Sequence, residues 1–448
     1  MAATAEYMIH VDALARRIAT GALKPGDRLP PQRRFAYETG IAVSTAARVY
    51  GELLRRGLVV GEVGRGTFVA GRAPAAIGVR AEALEGRIDL DFNFPTIPQQ
   101  AGLIARSAGH LQRPEAVAAA FAPVTGRRIE AARQALAPLA GAGGWTADPA
   151  GLAFTGCGRQ SIAAAISALV PIGGRLAVEA VSYPLVKSLT ARLGVVMVPI
   201  GMDEEGLRPD LLARAHRAGA VSAIYLQPIL HNPLGITMGA RRRAEILRMA
   251  EKLGVEIIED IVYSFLADVP PLAAEAPERC LVADSLSKRV AAGAGLGWAW
   301  APERLRDRLA SAIRTGAWNA GPLALELATR MMADGTMAEI TRLKRDDARV
   351  RQGLVAECLA GYEHAADPRS YHVWLKLPEG WRSDTFAAAA ARAGISLTPS
   401  SAFAMVAGHA PNAVRLGLGL PGLADLRTAL QRLAQLLRAG SETVDITE

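Results

Sequence analysis

EIIEDIVY (256–263) and CLVADSLSK (280–288) decide the fold. Each carries consecutive apolar, β-favouring residues followed by polar side chains. Apolar runs of this kind read as strands buried on both faces, as in a parallel sheet layered between helices. Outward from this pair, GLAFT, RLAVEA, VVMVPI, AIYLQP and WAWAP read in the same way. Between them, 159–169, 184–193, 209–218 and 239–253 read as amphipathic helices. The alternation from Ile88 onward predicts a mainly parallel, doubly wound α/β domain, whose ligands sit beyond the strand C-terminal ends. In the last part of the chain, VWLKLP and AVRLGLGL among helices predict a smaller α+β lobe.

Four polar features stand just beyond predicted strands. HNPLG supplies Asn232, and EIIEDIVY supplies Asp260 and Tyr263. DSLSK supplies Ser285, Ser287 and Lys288. TGCGRQS (155–161) is a small-residue turn opening a helix, whose first amides can cradle a phosphate. Alone, each has a plain structural reading: Asn-Pro-Leu-Gly is a turn, and a lysine after a strand is solvated. In this order they suit pyridoxal phosphate. A desolvated lysine condenses with its aldehyde, a carboxylate holds the pyridine proton, and Asn and Tyr reach its phenolic oxygen. GAGLG (293–297) precedes a strand instead of opening a helix after one, so a dinucleotide loop is rejected.

The 448 residues are 50% hydrophobic and 21% charged, with 44 Gly and 26 Pro. These proportions exclude collagen-like, disordered and disulfide-scaffold classes. Cys157, Cys280 and Cys358 lie far apart without metal-pair spacing, which predicts a reducing compartment and no metal. No apolar run approaches the length of a membrane span, and the N-terminus lacks the apolar stretch of a signal peptide. The expectation is a soluble, cytoplasmic protein.

The net charge of +8 is unevenly placed. Residues 1–70 hold 10 Lys/Arg against 6 Asp/Glu, half of the excess in under a sixth of the chain. This stretch predicts three helices: 8–19, one carrying Arg33 to Ala36 and ending at Gly40, and 43–56. LVVGEVGRGTFV then predicts a hairpin with Arg65 at its tip. Helix, helix, turn, helix, hairpin is the winged helix-turn-helix order. Its third helix can enter the DNA major groove and its wing can reach backbone or minor groove. The competing reading is a small helical dimerisation domain with a solvated arginine face. Residues 71–87, rich in Ala, Gly and Arg, read as a linker, leaving 88–448 as the body.

GDRLPPQRRFA, GIAVSTAARVYGELLRRGLV and GRGTFV resemble the DNA-binding domain of GntR-type regulators. By that resemblance Arg33 contacts phosphate or base, and Ser44, Thr45 and Arg48 face DNA from the recognition helix. Ala42 and Val43 stand where relatives often carry Ser and Arg. The body resembles fold type I aminotransferases. The resemblance implies that Lys288 bonds the cofactor aldehyde, Asp260 pairs with the pyridine nitrogen, and Asn232 and Tyr263 bind the phenolic oxygen. It also implies that Tyr183 stacks on the ring and that Cys157, Gly158, Arg159, Ser285 and Ser287 hold the phosphate. Arg415 matches the arginine that grips a substrate carboxylate, a fork-shaped task suited to guanidinium.

Two positions depart from that pattern. KRVAAGAGLGW places Ala292 and Gly295 where a proline and a phosphate-clamping arginine usually stand, and Phe121 replaces a tyrosine that reaches the partner subunit's phosphate. Arg289 and Arg159 are the candidates to compensate. The fused architecture resembles MocR-type transcription regulators. This implies a homodimer that binds double-stranded DNA and senses an amino compound at the cofactor. Two alternatives stay open: a working aminotransferase with an appended DNA reader, and a regulator whose body has lost the cofactor.

Overall fold

The computed structural model describes residues 2–24, 26–55, 58–62, 66–69, 86–123, 126–406 and 409–440. Arg65 and all of the predicted linker but its last two residues lie outside them.

The head comprises helices Ala2–Ala19, Gln32–Thr39 and Val43–Arg55, with Val59–Glu62 and Gly66–Val69 paired antiparallel. The first helix starts six residues before the predicted Met8. Gly40, at φ 67°, ends the second helix in the left-handed conformation that glycine adopts without strain. Val11, Leu14, Phe35, Ala46, Val49 and Leu53 share one small core. Tyr50 lies within it and donates its hydroxyl to Pro30 O at 2.6 Å, so its one polar atom is satisfied.

The body is organised on a seven-stranded sheet. Its order is Leu152–Thr155, Gly297–Trp300, Cys280–Ser285, Glu256–Asp260, Ala223–Leu226, Arg175–Glu179, Val196–Ile200. All seven predicted strands are present. Gly297–Trp300 runs antiparallel to both neighbours, and the other pairings are parallel. Alternate side chains feed opposite faces. Ile257, Val282 and Leu226 join one hydrophobic cluster, whereas Ile258, Leu281 and Tyr225 join the other. Helix Gly158–Leu169 packs on the second face through Ile162, Ala165 and Ile166.

The small lobe is a four-stranded antiparallel sheet in the order His364–Ala366, His372–Lys376, Ala413–Gly417, Thr398–Pro399. Helices Ser383–Arg392 and Leu423–Ala439 contribute to its core, and Thr336–Cys358 leads into it. One boundary differs from expectation. Ile88–Asp89 pairs with Ile395–Ser396, and fully buried Leu90 sits in the small lobe's core. The chain therefore enters the body through the small lobe before supplying the large sheet.

Candidate functional site

Strand ends bring the predicted residues together. Asp260 closes Glu256–Asp260, Ser285 closes Cys280–Ser285, and Lys288 stands on the following turn, Leu286–Arg289. Asp260 is 4% exposed. Its Oδ2 accepts from Tyr225 Oη at 2.7 Å and Gln227 Nε2 at 2.8 Å, and its Oδ1 accepts from Val262 N at 3.2 Å. Burial pushes the carboxyl's pKa up, and these donors pull it back.

Lys288 is half-buried, donates Nζ to Asn93 O, and lies 3.6 Å from the centroid of the Phe94 ring. Desolvation, reinforced by the Arg415 and Arg159 charges, draws its amine down to about 7. A fraction is then a free nucleophile near neutrality, which imine formation requires. Tyr263 accepts a bond from Asn93 Nδ2 at 3.0 Å, and burial pushes its phenol up to about 12. Asn232 is anchored by its own amide, N to Gln227 Oε1 at 3.1 Å, while its buried Oδ1 has no partner. Tyr183 is half-buried, its pKa raised by burial against the opposing Arg159 charge.

The turn before helix Gly158–Leu169 is built for close approach. Thr155 Oγ1 bonds Cys157 O at 3.1 Å and pairs with Ser161 Oγ at 2.8 Å, fixing the loop. The first amides of that helix have no acceptors within it. A Cβ on Gly158 would lie 3.0 Å from Ser285 Oγ, and one on Gly297 would lie 2.4 Å from the Cys157 carbonyl carbon. Cys157, Gly158 and Ser285 thus form one cradle, with half-buried Ser287 on the adjoining turn and exposed Arg159 at the rim.

Arg415 reaches this region from strand Ala413–Gly417 of the small lobe. It is 7% exposed and donates Nη2 to Asp91 O and to Thr398 Oγ1, the latter at 2.8 Å, while its buried Nε is unpartnered. Burial lowers its pKa, with Tyr263 and Asp91 opposing.

The residues present fit pyridoxal phosphate at the ring end. An amine, a buried carboxylate, a phenol and the Asn232 side-chain amide, which can donate to a phenolic oxygen, gather there. The phosphate end is thinner. Gly295 has no side chain, and Phe121 is 69% exposed at the end of Pro114–Phe121. Arg289 does not compensate: it bonds Leu139 O at 3.2 Å and Asp284 at 3.4 Å, with its guanidinium 5.4 Å from the Phe265 ring.

Several participants carry no clear signal in the sequence. Gln227 follows its strand directly, so the strand-end rule could have found it. Tyr225 is hidden inside AIYL, and Asn93 has no local pattern around it. Behind them lies a buried chain: Glu179 Oε2 receives Gln227 N at 3.0 Å and lies 3.1 Å from His231 Nε2. His231 O contacts His372 Nε2 at 2.9 Å, and His372 Nδ1 contacts Ser370 Oγ at 3.0 Å. Burial holds His372 neutral, its pKa drawn down to about 3.

On the head, Arg33, Ser44 and Arg48 are exposed and Thr45 is half-buried. Ser44 and Arg48, four apart on one helix, share a face. Arg34 is committed to Glu38 at 2.7 Å, and the Arg48 guanidinium lies 4.4 Å from the Tyr7 ring centroid. Tyr37, 89% exposed on the second helix, is a surface aromatic that no motif in the sequence singles out.

A helix-turn-helix head with a two-stranded wing, joined to a large sheet and small lobe of aminotransferase form, defines a two-function class of protein. Residues 10–69 match the bacterial regulatory proteins of the gntR family, and residues 91–433 match aminotransferase class I and II. The chain belongs to the class I and II aminotransferase family by its body and is a transcriptional regulator by its GntR head, the MocR-like architecture. It is 27% identical over 446 residues to the HTH-type transcriptional regulator YdeF of Bacillus subtilis, covering 96% of this chain and 94% of that one. It is 26% identical to the vitamin B6 salvage pathway transcriptional repressor PtsJ of Salmonella typhimurium, covering 82% and 84%. An archaeal alanine:glyoxylate aminotransferase superposes with a TM-score of 0.69 at 24% identity, over 79% of this chain and 91% of that one. Among the described residues no helix is long and apolar enough to cross a membrane.

Proposed function

We propose that this regulator holds pyridoxal phosphate in its body, joined to Lys288, and that an amino compound docking there changes its grip on DNA. When bound, the cofactor supplies an electrophilic aldehyde carbon and a pyridinium electron sink. Asp260 holds the pyridine proton, and Tyr225 and Gln227 fix that carboxylate's orientation. Asn232 and Tyr263 hold the phenolic oxygen, and Tyr183 covers the ring. Cys157, Gly158, Arg159, Ser285 and Ser287 receive the phosphate, and Arg415 grips the ligand's carboxylate. Arg33, Ser44, Thr45, Arg48 and Arg65 serve the DNA, from a head of residues 1–70 linked through 71–87 to a homodimeric body of 88–448.

One observation carries the reading: the Lys288 amine and the Tyr263 phenol meet on Asn93, within the fields of buried Asp260 and of Arg415 from the small lobe. The 26% identity to a vitamin B6 repressor supports it. The test is to titrate pyridoxal phosphate into the purified protein and into Lys288→Ala, following visible absorbance. Amino acids are then added while operator binding is followed by fluorescence anisotropy. The expected result is a saturable band that the variant lacks, and a shift in operator affinity on adding at least one amine. Sustained keto-acid release would instead favour a working aminotransferase.

A second reading, a regulator with a cofactor-free body, is favoured by Gly295, exposed Phe121 and the commitment of Arg289 elsewhere. Absence of the absorbance band at saturating pyridoxal phosphate would support it.

A further inference from the structure

Helix Thr336–Cys358 contains TRLKRDDAR, a charged run that reads as a solvated face. Lys344 within it is nevertheless fully buried. Its neighbours one turn away on either side, Ile340 and Ala348, are fully buried too, so it occupies the inward stripe of the helix. A methionine could fill such a site without desolvating an amine, so the amine needs a reason.

Its acceptors supply one. Lys344 Nζ donates to Lys288 O at 3.1 Å and to Val290 O at 2.8 Å. Both carbonyls close the four-residue turn Leu286–Arg289, which is too short to satisfy its own C-terminal carbonyls. Cations are favoured at that end of a helix. From the side of its own helix, Lys344 O accepts Tyr371 Oη at 2.8 Å, which pins the backbone from which the side chain leaves.

We propose that Lys344 is a positioning residue for Lys288: its buried amine grips the carbonyls that close the Lys288 turn and so fixes where the Lys288 side chain departs. The proposal rests on the reading of Lys288 as the cofactor lysine. Lys344 also contributes a like charge to the field at Lys288, alongside Arg415 and Arg159 and against Asp260. Tyr263, Tyr183, Cys157 and the neutral His372 are further titratable groups around that site, while Asp347 is the charge that acts on Lys344 itself.

The test compares full-length wild type with Lys344→Met, Lys344→Gln and Lys344→Arg. Cofactor-free protein is trace-acetylated with acetic anhydride across pH 5.5–10, and the Lys288 peptide is quantified by mass spectrometry. Separately, pyridoxal phosphate is added and trapped with borohydride at timed intervals. In Lys344→Met and Lys344→Gln the midpoint of Lys288 labelling is expected to rise by roughly half a pH unit or more, the direction set by loss of a like charge. Borohydride-trapped incorporation is expected to slow about tenfold, on the order of the loss a small misplacement of a reacting group causes. Lys344→Arg restores both. A folded Lys344→Met whose labelling curve overlies wild type overturns the proposal. So does arginine failing to restore, or all three variants losing the cooperative unfolding of the body, which would make Lys344 scaffold only. If wild type traps no cofactor yet the labelling midpoint moves as stated, the cofactor reading fails and the positioning role stands.

Discussion

Replacing Lys288 with methionine should make the cofactor-free body more stable, because the lysine is held where its charge is disfavoured. Its amine falls from an ordinary 10.5 to about 7. Below pH 7 both folded and unfolded chains carry the proton, and the folded one bears a cost of roughly 5 kcal/mol. The Asn93 carbonyl bond and the Phe94 ring contact offset about 1 kcal/mol each, leaving roughly 2–4 kcal/mol in favour of Lys288→Met. Between pH 7 and 10.5 the unfolded chain retains the proton that the folded chain has released, so wild-type stability climbs with pH. The advantage of the variant should therefore shrink by roughly 3 kcal/mol between pH 6.5 and 9.5, which closes the gap by about pH 9.5. Urea unfolding followed by tryptophan fluorescence measures this on the body alone, since all six tryptophans (145, 298, 300, 318, 374 and 381) lie there. Equal stabilities at pH 6.5, or a gap that widens as pH rises, would refute the reasoning.

Arg415→Lys, which keeps the charge but loses the fork, should weaken binding of carboxylated amines by about tenfold to a hundredfold, on the order of one charge-assisted bond. Calorimetric titration of the cofactor-loaded protein checks it, and undiminished affinity would remove Arg415 from the ligand site. Arg33→Ala and Arg48→Ala should each weaken operator binding and flatten the slope of log affinity against log salt by about 0.9 for every phosphate left without its cation. Gel-shift titrations across salt read both, with the cofactor spectrum serving as the control; an unaltered slope would mean that neither arginine meets the backbone.

Most of the body is legible in the sequence because parallel strands buried on both faces leave an unmistakable trace, and polar residues immediately behind them fall at the C-terminal edge of the sheet. Asp260, Ser285 and Lys288 all follow that rule. Gln227 obeys it too, but AIYLQP read whole as a strand hides it inside the run. Tyr225 is invisible because strand periodicity assigns it to packing; only the register placing it opposite Ile258 brings its hydroxyl to Asp260. The lobe boundary is hidden for a similar reason. Ile88 finds its sheet partner at Ile395, and no local pattern encodes a pairing so distant in sequence. Proximity to Lys288 makes Arg289 a natural candidate for the phosphate, yet on so short a turn adjacent side chains diverge, and its guanidinium goes to Leu139 O and Asp284.

On the proposed function, whatever the body senses has to change something the head can detect, and the segment 88–94 lies where that can happen. It is the first part of the body after the predicted linker. Ile88 N bonds Gly394 O and Leu90 N bonds Ser396 O, each at 2.8 Å, which tie the segment into the small lobe. Two carbonyls of the same segment hold two of the site's cations: Asp91 O takes Arg415 and Asn93 O takes Lys288. On the proposed function, an aldehyde that claims the Lys288 amine, or a carboxylate that claims the Arg415 fork, would compete with those carbonyls directly. Linkage then demands that binding and the placement of this strap influence each other by the same free energy, commonly about 1–3 kcal/mol between coupled sites. A shift of that size changes DNA affinity by roughly five- to a hundred-and-fifty-fold. No long chain of intermediaries is needed, because the strap that meets the pocket is continuous with the chain that leads to the head.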